Sequence, residues 1–200
     1  VTKTGQTLVE GEKADGRRQR SERSRAQIVE AMFALIQEGD MSPSAASVAE
    51  RAGVGLRTVF RHFEDMDSLY GEMSEIITAE IMPKAKAPFT APDWRGNLSV
   101  LISRRAEIYE QIFSMRVSAN LRRFQSPFLM EKYYSTLEME RATLQVMLPE
   151  PIVADKILFA AVEAAVAFQT WRRLRQDQKL DAPDAEKVVR RTTDALLADY

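Results

Sequence analysis

The stretch "SAASVAERAGVGLRTVFRHF", residues 44–63, constrains the fold more than any other part of the chain. Two short helical patterns meet there at a glycine. In the first, Ser42 or Ser44 provides the cap and Val48, Ala49 and Ala52 face inward. The second, 56–63, opens after Gly55. Ala49 and Ala52 are small enough for two helices to approach closely, and Gly53 permits the positive φ needed to leave the first of them. Val54 and Val59 fill the wedge between the helices. Leu56, Arg57, Thr58 and Arg61 are left facing outward at the start of the second. With a preceding helix packed against both, this is the helix-turn-helix layout.

The rest of the chain reads as helix, and neither strand-like alternation nor an internal repeat is present, so an all-α fold is expected. Ile28, Met32, Leu35 and Ile36 share one face of a first helix begun by Ser21 or Ser24 and stopped by Gly39. Asp65 caps a fourth helix striped by Met66, Leu69, Tyr70, Met73, Ile76 and Ile77, with Pro83 beyond its end. A proline-rich loop follows. Further helices are expected over 94–115, 118–124, 127–148 and 152–176, with a last one after Pro183. The division expected is a flexible tail over 1–16, a DNA-binding domain over 17–66 and a larger helical domain over 67–200.

Composition removes several function classes. There is no cysteine and only one histidine, His62, which leaves no disulfide framework, thiolate site or multi-histidine metal site. The net charge of −1 means that any nucleic-acid contact must be local. The longest apolar run, 157–168, is interrupted by Glu163 and is shorter than the roughly 18 residues a membrane span needs. The opening "VTKTGQTLVEGEKADGRR" has no apolar signal core, and the lack of an initiator methionine reads as an incomplete or processed start. A cytoplasmic protein is expected. His62 lacks a visible acid or nucleophile partner, and no metal cluster or phosphate loop is evident, so neither an enzyme nor a cofactor is expected.

The wider string "VAERAGVGLRTVFRHFEDMDSLYGEM" resembles the TetR family of bacterial transcriptional regulators. The resemblance rests on Val48-Ala49, Ala52-Gly53-Val54, Thr58-Val59-Phe60, His62-Phe63 and Leu69, and is strong over residues 23–75. It implies that Ser44 and Ala45 meet a phosphate, that Ala46 can reach a base, and that Leu56 and Arg57 fill base-facing slots. It also implies that Thr58, Phe60, Arg61 and His62 lie against the DNA backbone. Phe60 replaces the family's usual tyrosine and Met66 its usual lysine, which removes two phosphate partners. Arg20, within the run Arg17, Arg18, Arg20, Arg23 and Arg25 opposed only by Glu22, is the candidate to replace them.

For the second domain, the resemblance implies a small-molecule pocket. The candidate lining is Trp94, Leu101, Arg105, Tyr109, Phe113, Phe124, Tyr133, Leu137 and Phe168, which suits an apolar or aromatic ligand. Arg105 shares a helical face with Leu98, Leu101, Ile102, Ile108 and Tyr109. Its guanidinium either snorkels to water or to a carboxylate such as Glu140 or Glu163, or else binds an anionic group on the ligand. The alanine-rich 152–176 stretch is apolar on more than one face, and a helix apolar all round is buried all round. In TetR-like proteins this helix and the last one form a twofold interface. The expectation is a homodimeric repressor on a palindromic double-stranded operator, released by a small-molecule effector. The rival reading is a helical adaptor or ligand-binding protein with weakened DNA binding.

Overall fold

A computed structural model describes residues 6–200, with side chains described from residue 18 onward. The described residues form helices and connecting loops, with no strand among them. In chain order these are α1 (Gln6–Gln37), α2 (Ala45–Arg51), α3 (Leu56–His62), α4 (Met66–Ala85) and α5 (Trp94–Arg122). A 3₁₀ turn (Arg123–Gln125) leads into α6 (Pro127–Met147), followed by α7 (Glu150–Ala154) and α8 (Lys156–Ala165). α9 (Phe168–Arg172) runs into a π turn (Arg173–Asp177), and α10 (Ala182–Leu196) ends the chain.

Two apolar cores divide the structure. The first gathers Ile28, Met32 and Ile36 of α1, Val48 and Ala49 of α2, Val59 of α3 and Leu69, Tyr70 and Met73 of α4. Met115 of α5 and Leu129 of α6 also enter it. The second is built on α5, whose Leu98, Leu101, Ile102 and Tyr109 pack against Phe159, Val162, Phe168, Trp171, Ala185 and Val189. α4 serves both, because Ile81 and Ala85 near its end pack against the second core. Fully burying a Leu, Ile, Val or Phe side chain is worth about 1.5–3 kcal/mol, so sharing α4, α5 and α6 ties the two cores together firmly.

Several boundaries differ from those read in the sequence. α1 starts at Gln6, not at Ser21 or Ser24, and passes through part of the segment expected to be a tail. Residues 1–5 of that segment lie outside the described residues. Pro83 sits inside the last turn of α4. The carbonyl it deprives of a partner belongs to Ala79, which is exposed and can bond water instead. α5 is continuous through Ser118, since the chain between 115 and 118 contains no helix breaker and Val117 and Ser118 are buried.

The expected 152–176 helix is broken twice. Asp155 caps α8 by accepting from the N–H groups of Ile157 and Leu158, both at 3.0 Å. The second break falls at Val166 and Ala167, where side chains satisfy the freed carbonyls. Thr170 Oγ1 donates to the Ala164 carbonyl at 2.6 Å. Arg105 Nη1 and Tyr109 OH donate to that of Val166 at 3.3 and 3.2 Å. The helix is also not buried all round, for α8 leaves Ile157 82% exposed and Ala160 and Ala164 exposed beside it.

Candidate functional site

The short helix α3 is braced at both ends. Ahead of it, Ser44 caps α2 reciprocally: Ser44 Oγ accepts from the Ser47 N–H and Ser47 Oγ from the Ser44 N–H, each at 3.0 Å. α2 ends at Ala52, and Gly53 turns the chain with φ at +65°. The N–H groups of Gly53 and Val54 return to the carbonyls of Glu50 and Ala49 at 3.1 and 3.0 Å. At the other end, Arg25 of α1 donates through Nη1 to the His62 carbonyl at 2.7 Å. Arg25 also forks onto the Glu72 carboxylate of α4 and lies 4.4 Å over the Phe63 ring. A cation at the C-terminal carbonyls of a helix is favoured by the helix dipole.

Bracing leaves one face of α3 open. Leu56 and Phe60 are 46% and 49% exposed, and Arg57 and Arg61 stand exposed beside them. Neither of these two guanidiniums has an ion-pair or hydrogen-bond partner among the described residues. Thr58 is half-buried, and on α2 Ala46 is exposed and Ala45 half-buried. Ser44 is exposed too, but its hydroxyl is committed to the cap. His62 is half-buried, and its Nε2 is shielded from water with no partner among the described residues. Burial, helped by the charges of Arg61 and Arg25, holds its pKa below the ordinary histidine value.

The arginine run before α3 is less free than its sequence suggests. Arg18 pairs with Glu22 at 3.0 Å and Arg20 Nε donates to the Gly16 carbonyl at 3.0 Å. Arg25 is a brace.

Inside the second core lies a cavity of about 10 Å³, close to the least that holds one water molecule. Arg105, Tyr109, Ile102, Val166, Trp171 and Val189 are among its walls. Arg105 is buried and donates to two backbone carbonyls, Val166 at 3.3 Å and Glu140 at 2.7 Å, so neither expected carboxylate receives it. Glu140 instead turns its carboxylate to Arg116 Nη1 at 2.7 Å and to Tyr109 OH at 3.4 Å. Glu163 pairs with Arg141 at 3.5 Å. Desolvation pushes the Tyr109 phenol up to about 12, so it remains a donor.

The fold recurs in known structures. A transcriptional regulator from Rhodococcus sp. Rha1 superposes with a TM-score of 0.63 and 17% identity, over 90% of this chain and 96% of that one. A candidate TetR-family transcriptional regulator from Mesorhizobium loti MAFF303099 gives 0.54 and 20%, over 90% and 98%. This chain has the TetR-type fold. No protein-family profile and no curated protein matches it. No helix among the described residues is long and apolar enough to cross a membrane.

Within that fold, the expected pocket residues separate. Leu101, Arg105, Tyr109 and Phe168 are buried together, with Phe113 beside Phe168 at a ring distance of 5.7 Å. Tyr133 is half-buried and its hydroxyl accepts from Gln169 Nε2 at 3.1 Å, while Leu137 is half-buried on the same helix. Trp94 lies at the edge of the core under the Arg95 guanidinium. Phe124 stands 72% exposed, with the Arg123 guanidinium 4.5 Å over its ring. Trp171, Val189 and Arg116 were not anticipated. Trp171 follows Phe168 at the i+3 spacing of one helix face, and Arg116 lies on the Tyr109 stripe once α5 is continued past Met115.

Proposed function

We propose that the chain is a DNA-binding transcriptional regulator, a repressor that leaves its operator when a small apolar or aromatic ligand enters the second core. It acts as a binding protein, without catalysis. Residues 17–66 would read the DNA and residues 67–200 would hold the ligand and the partner subunit. The observation that carries this reading is the open face of α3. A helix braced at both ends presents two arginines, unpaired among the described residues, beside exposed Leu56 and Phe60. Such a face suits the major groove, where arginine takes guanine edges and an apolar side chain takes the thymine methyl.

One short helix reads few bases, so a homodimer on a palindromic operator follows from the same argument. α8 and α10 pack on each other and supply the surface. Ile157, Ala160 and Ala164 are exposed on the first, and Val188 on the second. Apolar residues in such a patch mark an interaction site.

A mobility-shift assay on the promoter region of its own gene tests the reading. Arg57→Ala should relax preference at one operator position by about 1–3 kcal/mol. Arg61→Ala should weaken all sequences alike and lower the salt slope by about 1. A chain that shifts no DNA would instead be the helical ligand-binding adaptor.

A further inference from the structure

We propose that the second core contains a seat for a small organic carboxylate, formed by Arg116, Arg105 and Tyr109, and that Glu140 fills it when no ligand is bound. This rests on the reading of the chain as ligand-responsive and names the chemistry of the ligand.

The first support is charge. Arg105 and Arg116 are permanently cationic, and Glu140 is the one carboxylate that reaches either of them among the described residues. Among the described residues Arg105 donates only to backbone carbonyls. Burying a cation without an opposite charge is costly, so the two guanidiniums require an anion in this seat, and a ligand carboxylate that takes the place of Glu140 keeps that balance.

Geometry agrees. A guanidinium and a carboxylate frequently make two parallel hydrogen bonds, and that arrangement is the stronger one. The Arg116–Glu140 pair makes one, from Nη1 to Oε1 at 2.7 Å. The neighbouring Arg116 Nη2 is shielded from solvent and bonds nothing among the described residues. Tyr109 also serves Glu140 poorly, dividing its proton between Oε1 at 3.4 Å and the Val166 carbonyl at 3.2 Å. Glu140 therefore occupies the seat without satisfying it. Rings complete the walls: the Arg116 guanidinium lies 4.6 Å from the Phe168 centroid and 5.3 Å from that of Tyr109. An aryl or short alkyl acid matches such walls.

Access follows from the helix that carries Glu140. Only Leu129 and Leu144 of α6 are buried. The side chains of Arg116 and Glu140 keep 11% and 15% of their surface exposed, so the pair lies just inside the wall that α6 makes. The adjoining cavity has room for about one water, and an organic acid must therefore displace Glu140 and lift that part of α6.

Calorimetry and thermal shift on the full chain, without DNA, test the proposal. The probes are benzoate, phenylacetate, cinnamate and hexanoate, each set against its neutral amide. At least one acid should raise the Tm while its amide does not. Arg116→Met should abolish the shift. Glu140→Gln removes the competing carboxylate and should tighten acid binding by about tenfold or more, an effect that loss of a merely structural ion pair would not produce. Amides binding as well as acids, no acid binding at all, or unchanged or weaker acid binding by Glu140→Gln would each overturn the proposal. Should Arg116→Met fail to fold, the acid–amide contrast and Glu140→Gln still decide. A chain that shifts its promoter but takes no acid loses only the seat. One that takes acids but shifts no DNA loses only the regulator reading.

Discussion

Tyr70→Phe removes one oxygen from the seam between the two cores, where its consequences can be worked out. Tyr70 is 1% exposed, Ser118 is fully buried, and their hydroxyl oxygens are 2.7 Å apart. Burial pushes the Tyr70 phenol above its usual pKa, so the hydroxyl keeps its proton throughout the neutral range. Phenylalanine fills the same ring space, which leaves little cavity cost. What remains is the Ser118 hydroxyl stranded in an apolar region, at a penalty of about 1–3 kcal/mol. Ser118 can turn to the carbonyl four residues back on its own helix, which puts the expected value near the lower end. Ser118→Ala strands the phenol instead. The double variant should cost less than the two singles summed, with a coupling of about 1 kcal/mol. Urea unfolding of the four proteins at one concentration measures it, with a Tm change of about 2–4 °C per kcal/mol as a second readout. If Tyr70→Phe lay within about 0.3 kcal/mol of the parent, or if the singles simply added, this reasoning would be refuted.

Three further outcomes are expected. Gly53→Ala places a Cβ at φ +65° and should cost about 1–2 kcal/mol, visible as a lower urea midpoint; an unchanged midpoint would show that the turn relaxes freely. His62 has a lowered pKa, so the unfolded chain binds its proton more readily and stability should fall as pH drops from about 6.5 toward the folded value. His62→Asn should flatten that limb of the stability profile, and an equal slope in both proteins would remove His62 as its source. Ile157→Glu, at an apolar residue of α8 that is 82% exposed, should shift sedimentation from dimer toward monomer; an unaltered dimer would place the interface elsewhere.

How much was legible in the sequence depended on how local the determining physics was. The α2–α3 turn could be read because Gly53, the cap at Ser44 and the cap at Asp65 act within a few residues of themselves. The break at Val166 could not. The groups that satisfy its carbonyl, Arg105 and Tyr109, lie 61 and 57 residues earlier on another helix. The same distance hid the partner of Arg105, because a carboxylate is visible in a sequence and a particular backbone carbonyl is not. Arg116 was missed for a nearer reason. Ending the helix at Met115 took it off the stripe that Arg105 and Tyr109 share, although that stripe continues without a breaker. Phe124 is the opposite error: an aromatic residue in an apolar neighbourhood, carried to the outside by the 3₁₀ turn at the end of α5.

On the proposed reading, a ligand in the second core must be felt at α3, and the contacts at the start of α4 have the right size to transmit it. Asp67 accepts from Arg122 Nε at 3.3 Å and from Ser126 Oγ at 2.6 Å. Tyr70 bonds Ser118, and Gly71 has only a hydrogen where the Phe128 ring packs, 3.3 Å from where a Cβ would stand. All four contacts reach the C-terminal half of α5 or the beginning of α6. Glu140 lies thirteen residues past Pro127 on that same α6, about 20 Å along its axis. Lifting α6 at Glu140 therefore tilts a rod whose other end is fastened to α4, and α4 holds α3 through Glu72 and Arg25. Allosteric coupling usually amounts to 1–3 kcal/mol, a five- to 150-fold change in affinity. A buried hydrogen bond contributes about 0.5–1.5 kcal/mol net, so gaining or losing one or two of these contacts is sufficient. It follows that Tyr70→Phe, besides costing stability, should blunt the ligand response while leaving the open face of α3 untouched.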